Sequence, residues 1–312
     1  MKQWTMPSLR SNAGGTFPSS VVALGNFDGV HLGHRALLRA ALSEKERSGV
    51  LFAVFTFETP AGKESCCLLT REQRLWKLEE QGADAVLLAE FEEVRHLPPE
   101  RFVNEILYET MHASCCVCGF NYRFGVHASG DAETLTRLCG EKGIRVIVQP
   151  PVTTADGVPI SSSRIRETLR NGEMEQANAM LGSPYTLSLP VLHGQALGRT
   201  IGIPTANQCF PDGMVIPKRG VYASFVTLGK DVCPAVTNIG VRPTVSGEGV
   251  TAETHLIGYD GDLYGQTIAV SLERYLRPET KFPSLEKLKQ AIFGDIEAAK
   301  QQFENRNGGS VS

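Results

Sequence analysis

The pattern of this chain changes kind at Gly182-Ser183-Pro184, and that change limits its fold more than any other feature. Ahead of it, β-rich runs alternate with helical spacing. Ser20 to Leu24 reads as a strand and His34 to Leu42 as a helix, with Leu37/Ala41 and Leu38/Leu42 one turn apart. Val50 to Phe57 is an unbroken apolar run, the kind buried on both faces of a parallel sheet. Thr70 to Gln81 reads as a helix that Thr70 caps, and Asp84 to Leu88 as a strand. Pro99 to Met111 is a helix with one apolar face; Cys115 to Cys118 is a strand, Asp131 to Glu141 a helix and Arg145 to Gln149 a strand. Ser162 to Asn171 and Glu173 to Leu181 add two helices. Five strands alternating with helices predict an open, mostly parallel α/β sheet covered on both faces.

Beyond Pro184 the pattern becomes strand after strand. Tyr185 to Leu192, Val221 to Leu228, Val232 to Ile239, Thr251 to Ile257 and Thr267 to Tyr275 are strand-like, with Gly, Pro and Asp turns between them. Strands that follow one another without helices predict an antiparallel β-barrel or sandwich. One long helix closes the chain. Leu285, Leu288, Ile292, Ile296, Ala299 and Phe303 form a stripe expected to pack on the barrel. A length of 312 residues fits two domains at about 150 residues each, with expected bounds 1–182 and 183–312.

Charge and composition exclude several classes. Thirty-one Lys and Arg against thirty-four Asp and Glu leave a net charge of −3, so the chain as a whole has no electrostatic reason to coat nucleic acid. Met1 to Arg10 lacks the apolar stretch of a secretory signal, and Val50 to Phe57 is far shorter than a membrane helix. A protein that stays where it is made, in the cytoplasm, is expected, and whether it is a homo-oligomer is left open by the sequence. Among the eight cysteines, Cys66/Cys67 and Cys115/Cys116 are adjacent pairs, which argues against a disulfide framework. Cys115 and Cys118 form a lone CxxC without a second ligand pair nearby, and read as small apolar residues of a buried strand.

Two constellations carry chemistry. The first is Gly25-Asn26-Phe27-Asp28-Gly29-Val30-His31-Leu32-Gly33-His34, between the first strand and the first helix. Open α/β sheets bind nucleotides in that crevice, helix N-terminal amides attract phosphate, and glycines let backbone approach an anion. His31 and His34, three apart at a helix start, can donate to one phosphate during transfer at an α-phosphorus. Ser161-Ser162-Ser163-Arg164-Ile165-Arg166 opens a later helix and reads as the second half of a phosphate cradle. Each stretch alone also reads as ordinary turn and cap chemistry. The second constellation is Gly198-Arg199-Thr200-Ile201-Gly202-Ile203-Pro204-Thr205-Ala206-Asn207. Its glycines permit close approach to a polyphosphate, Arg199 can meet phosphates directly, and Thr205 and Asn207 offer hard oxygens suited to Mg²⁺.

The HxGH loop, the Ile160-Ser161-Ser162-Ser163-Arg164-Ile165-Arg166 run and Gly119-Phe120-Asn121-Tyr122-Arg123-Phe124-Gly125 resemble the adenylyltransferase module of bacterial bifunctional riboflavin kinase/FAD synthetases. The second half is similar to flavokinases. Pro204-Thr205-Ala206-Asn207 follows Gly198-Arg199, and Arg219-Gly220-Val221-Tyr222-Ala223, Thr237 to Thr244, Glu253-Thr254-His255, Asp262-Leu263-Tyr264-Gly265 and Leu276-Arg277-Pro278-Glu279 come in order.

The resemblance implies a Rossmann-like nucleotidyltransferase domain followed by a riboflavin kinase barrel. It implies ATP and riboflavin as substrates, FMN as product and second substrate, FAD as final product, and Mg²⁺. By resemblance, Gly25, Phe27, Gly33, Asn121, Ser161, Ser162, Ser163 and Arg166 hold nucleotide and phosphates, with His31 and His34 on the α-phosphate. Gly198, Arg199 and Gly202 contact the kinase ATP, and Thr205 and Asn207 hold Mg²⁺. Glu253 is the general base for the ribityl hydroxyl, and Arg277 contacts the flavin or its phosphate. His255 receives no role. The chain departs from the family at Phe57-Glu58-Thr59-Pro60, where Asp-Pro-His-Pro is usual, and at Val126-His127, where a basic residue follows the glycine. The histidine loop occurs in several transferases and does not name the acceptor. A different adenylyl- or cytidylyltransferase, or a non-catalytic flavin binder, therefore stays open at this point.

Overall fold

The computed structural model describes residues 1–6, 17–59, 66–194, 202–244 and 247–308. Contacts divide the chain into two units, Met1–Ser162 and Ser163–Ser312.

The first unit is a six-stranded parallel sheet in the order β1-β4-β3-β2-β5-β6. In chain order it comprises β1 (Lys2–Thr5), β2 (Ser20–Leu24), α1 (Leu32–Ser48), β3 (Leu51–Phe57), α2 (Arg71–Glu80), β4 (Ala85–Ala89), α3 (Phe102–Thr110), β5 (Ala113–Gly119), α4 (Ala132–Gly140) and β6 (Arg145–Gln149). Strand β1 is a sixth strand where five were expected. Its Lys2-Gln3-Trp4-Thr5 lacks an apolar run because only Trp4 reaches the core, where it packs on Phe17. All five residues of β2 and of β4 are buried, as a sheet covered on both faces requires. Thr70 caps α2, and its side chain and that of Gln73 form a reciprocal capping box. Helix α3 is wound wider than an α-helix, ending in a Met111 N–H bond to Ile106 O at 2.9 Å. Cys115, Cys116 and Cys118 lie buried in β5, and burial pushes the Cys118 thiol up to about 12.

The chain runs outward from β2 through β3 to β4, then returns to place β5 on the other side of β2. The topological switch point therefore lies between the carboxyl ends of β2 and β5, where such sheets take their ligands. The HxGH loop follows one of these strands and Asn121 the other.

The second unit opens with α5 (Ser162–Asn171) and α6 (Met174–Leu181), then β7 (Tyr185–Pro190), β8 (Ala206–Cys209), β9 (Gly220–Leu228), β10 (Asp231–Thr244), β11 (Gly247–Leu256) and β12 (Thr267–Arg277). Helix α7 (Leu285–Gly308) ends it. The contact division falls at Ser162/Ser163 rather than at 182/183 because both helices bond to barrel segments. Asn178 Nδ2 donates to Leu272 O at 2.9 Å, and Lys218 N donates to Leu169 O at 2.9 Å.

The sheet is antiparallel throughout, in the order β7-β12-β9-β10-β11-β8. Its free edges meet and nearly close a barrel. Leu192 N donates to Asn207 O at 2.8 Å, and the buried Gln208 amide donates from β8 to Leu189 O at 2.7 Å and Ile268 O at 3.0 Å. Closure removes the exposed edge that invites aggregation. Strand β8 was not expected, since it is only four residues long and begins inside the Pro204–Asn207 motif. Ile296 and Ala299 of α7 pack on Val221, Ala223 and Val236, as the stripe predicts, while Leu285 at its start stays exposed.

Candidate active sites

Unit one presents the histidine loop. Its backbone is unusual: Phe27 has φ 52° and Val30 φ 42°, bracketing Gly29 at 86°. A non-glycine residue in that region costs about 1–3 kcal/mol and persists only when its surroundings hold it. Those surroundings are dense. Phe27 and Val30 are fully buried, Leu68 N donates to Asp28 Oδ1 at 2.8 Å, and Ser162 Oγ donates to Asp28 O at 2.8 Å. Ser162, the last residue of the first unit, is thus fastened to the loop.

His31 is the N-cap of α1, and its Nδ1 accepts from His34 N at 3.3 Å. The two rings stack at 3.7 Å with a 16° interplanar angle, and Phe27 meets the edge of His34. Burial lowers the His31 pKa to about 4, and burial and the neighbouring ring hold His34 well below its usual value. Both rings are therefore neutral at pH 7. With Nδ1 of His31 accepting, its proton sits on Nε2, which is left as a donor. Among the described residues Nδ1 of His34 has no hydrogen-bond partner. Gly33 lies beneath the His31 ring: a Cβ there would stand 3.1 Å from Cε1. Gly25 serves Phe27 in the same way, at 3.1 Å from Cζ. Asn121 packs its Oδ1 against Gly119 at the end of β5.

Unit two carries Ser163 and the buried Arg166, whose Nη2 donates to Ser163 Oγ at 3.3 Å. Gly198 and Arg199 lie outside the described residues. Gly202 is exposed at φ 77°. In the antiparallel register Glu253 of β11 pairs with Asn207 of β8 on one side and Asn238 of β10 on the other. Directly paired residues share a face. Burial alternates along β11, so Ala252 and Thr254 point inward while Glu253 and His255 take the other face. Inside, Ser224, Thr237 and Thr254 form a buried hydroxyl chain with links of 2.8 and 3.0 Å.

Asn207 turns Nδ2 to Thr205 O at 3.2 Å, which leaves Oδ1 as the accepting end of the amide. His255 Nδ1 lies 2.8 Å from Pro204 O. A carbonyl only accepts, so Nδ1 carries the proton and pins the segment leading to Thr205. A pocket alongside is lined by Val191, Thr205, Leu256, Tyr259, Asp262 and Tyr264, and His193 stacks on Tyr264 at 3.9 Å. At Arg277, Nε and Nη2 reach the buried Asp295 carboxylate at 3.0 and 2.7 Å, and Nη1 donates to Pro278 O at 3.3 Å.

The Riboflavin kinase family matches residues 181–303, and the FAD synthetase family matches residues 16–164. The bifunctional riboflavin kinase/FMN adenylyltransferase of Escherichia coli K12 is 37% identical over 291 residues, covering 91% of this chain and 92% of that protein. This chain belongs to the bifunctional riboflavin kinase/FMN adenylyltransferase family. A relative of the same description from Bacillus subtilis is 33% identical, over 92% of this chain and 93% of its own length. A crystal structure described as a macrolide-efflux protein from Streptococcus pneumoniae superposes with TM-score 0.84 at 31% identity, covering 96% of this chain and 99% of that one. Efflux is said of that protein. Among the described residues here, no helix is long and apolar enough to cross a membrane.

Within this family member, four structural partners escaped the sequence reading: Arg74 behind the histidine loop, and Gly194, Gln208 and His255 around the kinase motif. A Cβ on Gly194 would lie 2.6 Å from Asn207 Nδ2, so the glycine admits the amide. Arg74, Gly194 and Gln208 have no local signal, because each acts on a segment distant in sequence. His255 alone had a pointer, its shared strand face with Glu253.

Proposed function

We propose that this chain makes FAD from riboflavin in two steps at two separate sites. The barrel unit phosphorylates riboflavin with ATP to give FMN and ADP. The parallel-sheet unit transfers AMP from a second ATP to FMN, releasing pyrophosphate. The observation that carries the reading is the cross-strand row Asn207–Glu253–Asn238, which sets one carboxylate beside the only amide oxygen of the Pro204–Asn207 motif.

In the kinase step Glu253 takes the proton of the ribityl hydroxyl as its oxygen attacks the γ-phosphorus, and the bond to the β-phosphate oxygen breaks. Thr205 and Asn207 Oδ1 fit a hard, oxygen-seeking cation such as Mg²⁺, and would hold it together with ATP phosphates. Mg²⁺ bound there supplies neutralisation of phosphate charge. His255 fixes the backbone just ahead of Thr205. Gly198, Arg199 and Gly202 contribute the phosphate side of the same loop. Arg277, which pairs with Asp295 and so ties α7 to β12, is assigned to the flavin or its phosphate on the family resemblance.

In the transfer step an FMN phosphate oxygen attacks the α-phosphorus and pyrophosphate leaves. His31 Nε2–H and His34 donate to the α-phosphate as neutral rings, stabilising negative charge through dipoles rather than full cations. Asn121 and Ser161 complete the nucleotide side, Ser162 fastens it, and the reading extends to Ser163 and Arg166, which follow in the chain. The test is chromatographic separation of flavins after mixing the pure chain with riboflavin, excess ATP and Mg²⁺. FMN and FAD are both expected. FMN alone would remove the transferase assignment, and no conversion would remove both.

A further inference from the structure

Arg74, on α2, is among the largest fully buried side chains of the molecule, at 1% exposure. Its guanidinium donates to backbone carbonyls and to one hydroxyl. Nη1 donates to Asn26 O at 3.1 Å and to Thr56 Oγ1 at 3.2 Å, and Nη2 donates to Phe57 O at 2.6 Å and Glu58 O at 2.7 Å. Thr56 Oγ1 donates in turn to Asn26 O at 3.1 Å. One fork therefore joins the first residue of the strained turn to the carboxyl end of β3, the segment where this chain departs from its family. Arg71, one turn earlier, holds the Glu58 carboxylate at 2.6 Å.

The turn that Arg74 grips is the one with two non-glycine residues at positive φ, and His31 and His34 follow it directly. Asp28 inside that turn is buried at 2% exposure, and its charge lies close enough to favour the Arg74 cation. Desolvation of a guanidinium is costly, and an apolar side chain would fill the same space without it. A lysine does not replace it either, since a single ammonium cannot span three carbonyl groups and a hydroxyl in a planar fork.

We propose that Arg74 is a positioning residue for adenylyl transfer. It touches no substrate; it locks the Asn26–Val30 turn onto the end of β3 in the form that presents the two imidazoles. This rests on the reading of the histidine loop as the transfer site.

The test compares Arg74→Lys and Arg74→Met in the full chain. Rates are measured for FAD formation from FMN, ATP and Mg²⁺, and for FMN formation from riboflavin. For Arg74→Lys, kcat of FAD formation is expected to fall about 100-fold, the cost of misplaced reacting groups. KM for FMN and ATP should stay within about 3-fold, since no ground-state contact is lost. FMN formation should be unchanged. Amide hydrogen exchange should quicken at Phe27 to Val30 while β3 and β4 stay protected. Full kcat in a folded Arg74→Lys variant would overturn the proposal, as would a loss seen only in KM. If Arg74→Met fails to fold, the lysine variant carries the test. Loss of protection in β3 and β4 of that variant would reduce Arg74 to a core-stability residue and also end the proposal. His31→Asn separates the two levels: if it keeps FAD formation the transfer-site reading fails, and if only it loses activity the Arg74 proposal fails alone.

Discussion

Glu253 stands directly across the β8–β11 pair from Asn207, on the same face of the barrel sheet. Forty-six positions of sequence separate the candidate base from the candidate cation ligand, and one rung of hydrogen bonding joins them. Replacing Glu253 with Ala removes the only carboxylate of the Asn207–Glu253–Asn238 row. FMN formation is expected to fall roughly 100- to 10,000-fold, the usual worth of a positioned general base. Conversion of added FMN to FAD should persist. Loss of both activities in a folded protein would contradict two independent sites.

Gly194 admits the Asn207 amide, and a methyl group there has no room. Gly194→Ala should shift that amide and weaken metal binding roughly 10-fold or more, as loss of a supporting contact does. The readout is the Mg²⁺ concentration giving half-maximal FMN formation. FAD formation from FMN serves as the internal reference. An unaltered Mg²⁺ requirement would show that Asn207 does not hold the cation.

His31 has two jobs that one substitution can separate. Asparagine caps a helix as well as most residues do, so His31→Asn should hold the melting temperature of α1 and its surroundings near that of the unaltered chain. It removes the Nε2 donor, however, and FAD formation should drop roughly 100- to 1,000-fold, as when an oxyanion donor is lost. Riboflavin phosphorylation should continue. A His31→Asn protein that forms FAD at the normal rate would confine His31 to capping.

Burial of His31 also predicts how the first unit responds to acid. Its folded pKa is about 4, below the 6.5 of the free side chain. Between those values the unfolded chain takes up a proton that the folded chain refuses, so stability present above pH 6.5 is lost as pH falls toward 4. Each such proton contributes about 1.4 kcal/mol per pH unit within the window. His34 acts in the same direction. Calorimetry from pH 7 to pH 4 should show the unfolding midpoint falling, and falling less steeply in His31→Asn. Parallel slopes in the two proteins would place the acid sensitivity elsewhere.

Much of this protein was legible in the order of its residues. Alternation of strand and helix before Gly182 and strand after strand beyond it fixed a parallel sheet and an antiparallel barrel, because side-chain period and connection length leave few other ways to bury those apolar faces. The Gly25–His34 and Pro204–Asn207 stretches pointed to phosphate chemistry through their family resemblance, since glycine, imidazole and hard oxygen suit such chemistry but also make ordinary turns. What the folded chain alone decided is which distant groups meet them. Strand β1 was illegible because one buried Trp4 carries no period, and β8 because its pairing to Glu253 and its seam through Gln208 belong to other strands. Arg74 falls inside the helix expected over Thr70 to Gln81, where nothing marks it out. Its meaning is set by carbonyls at Asn26, Phe57 and Glu58, and a linear sequence gives the residue types of such partners but not the distances between them.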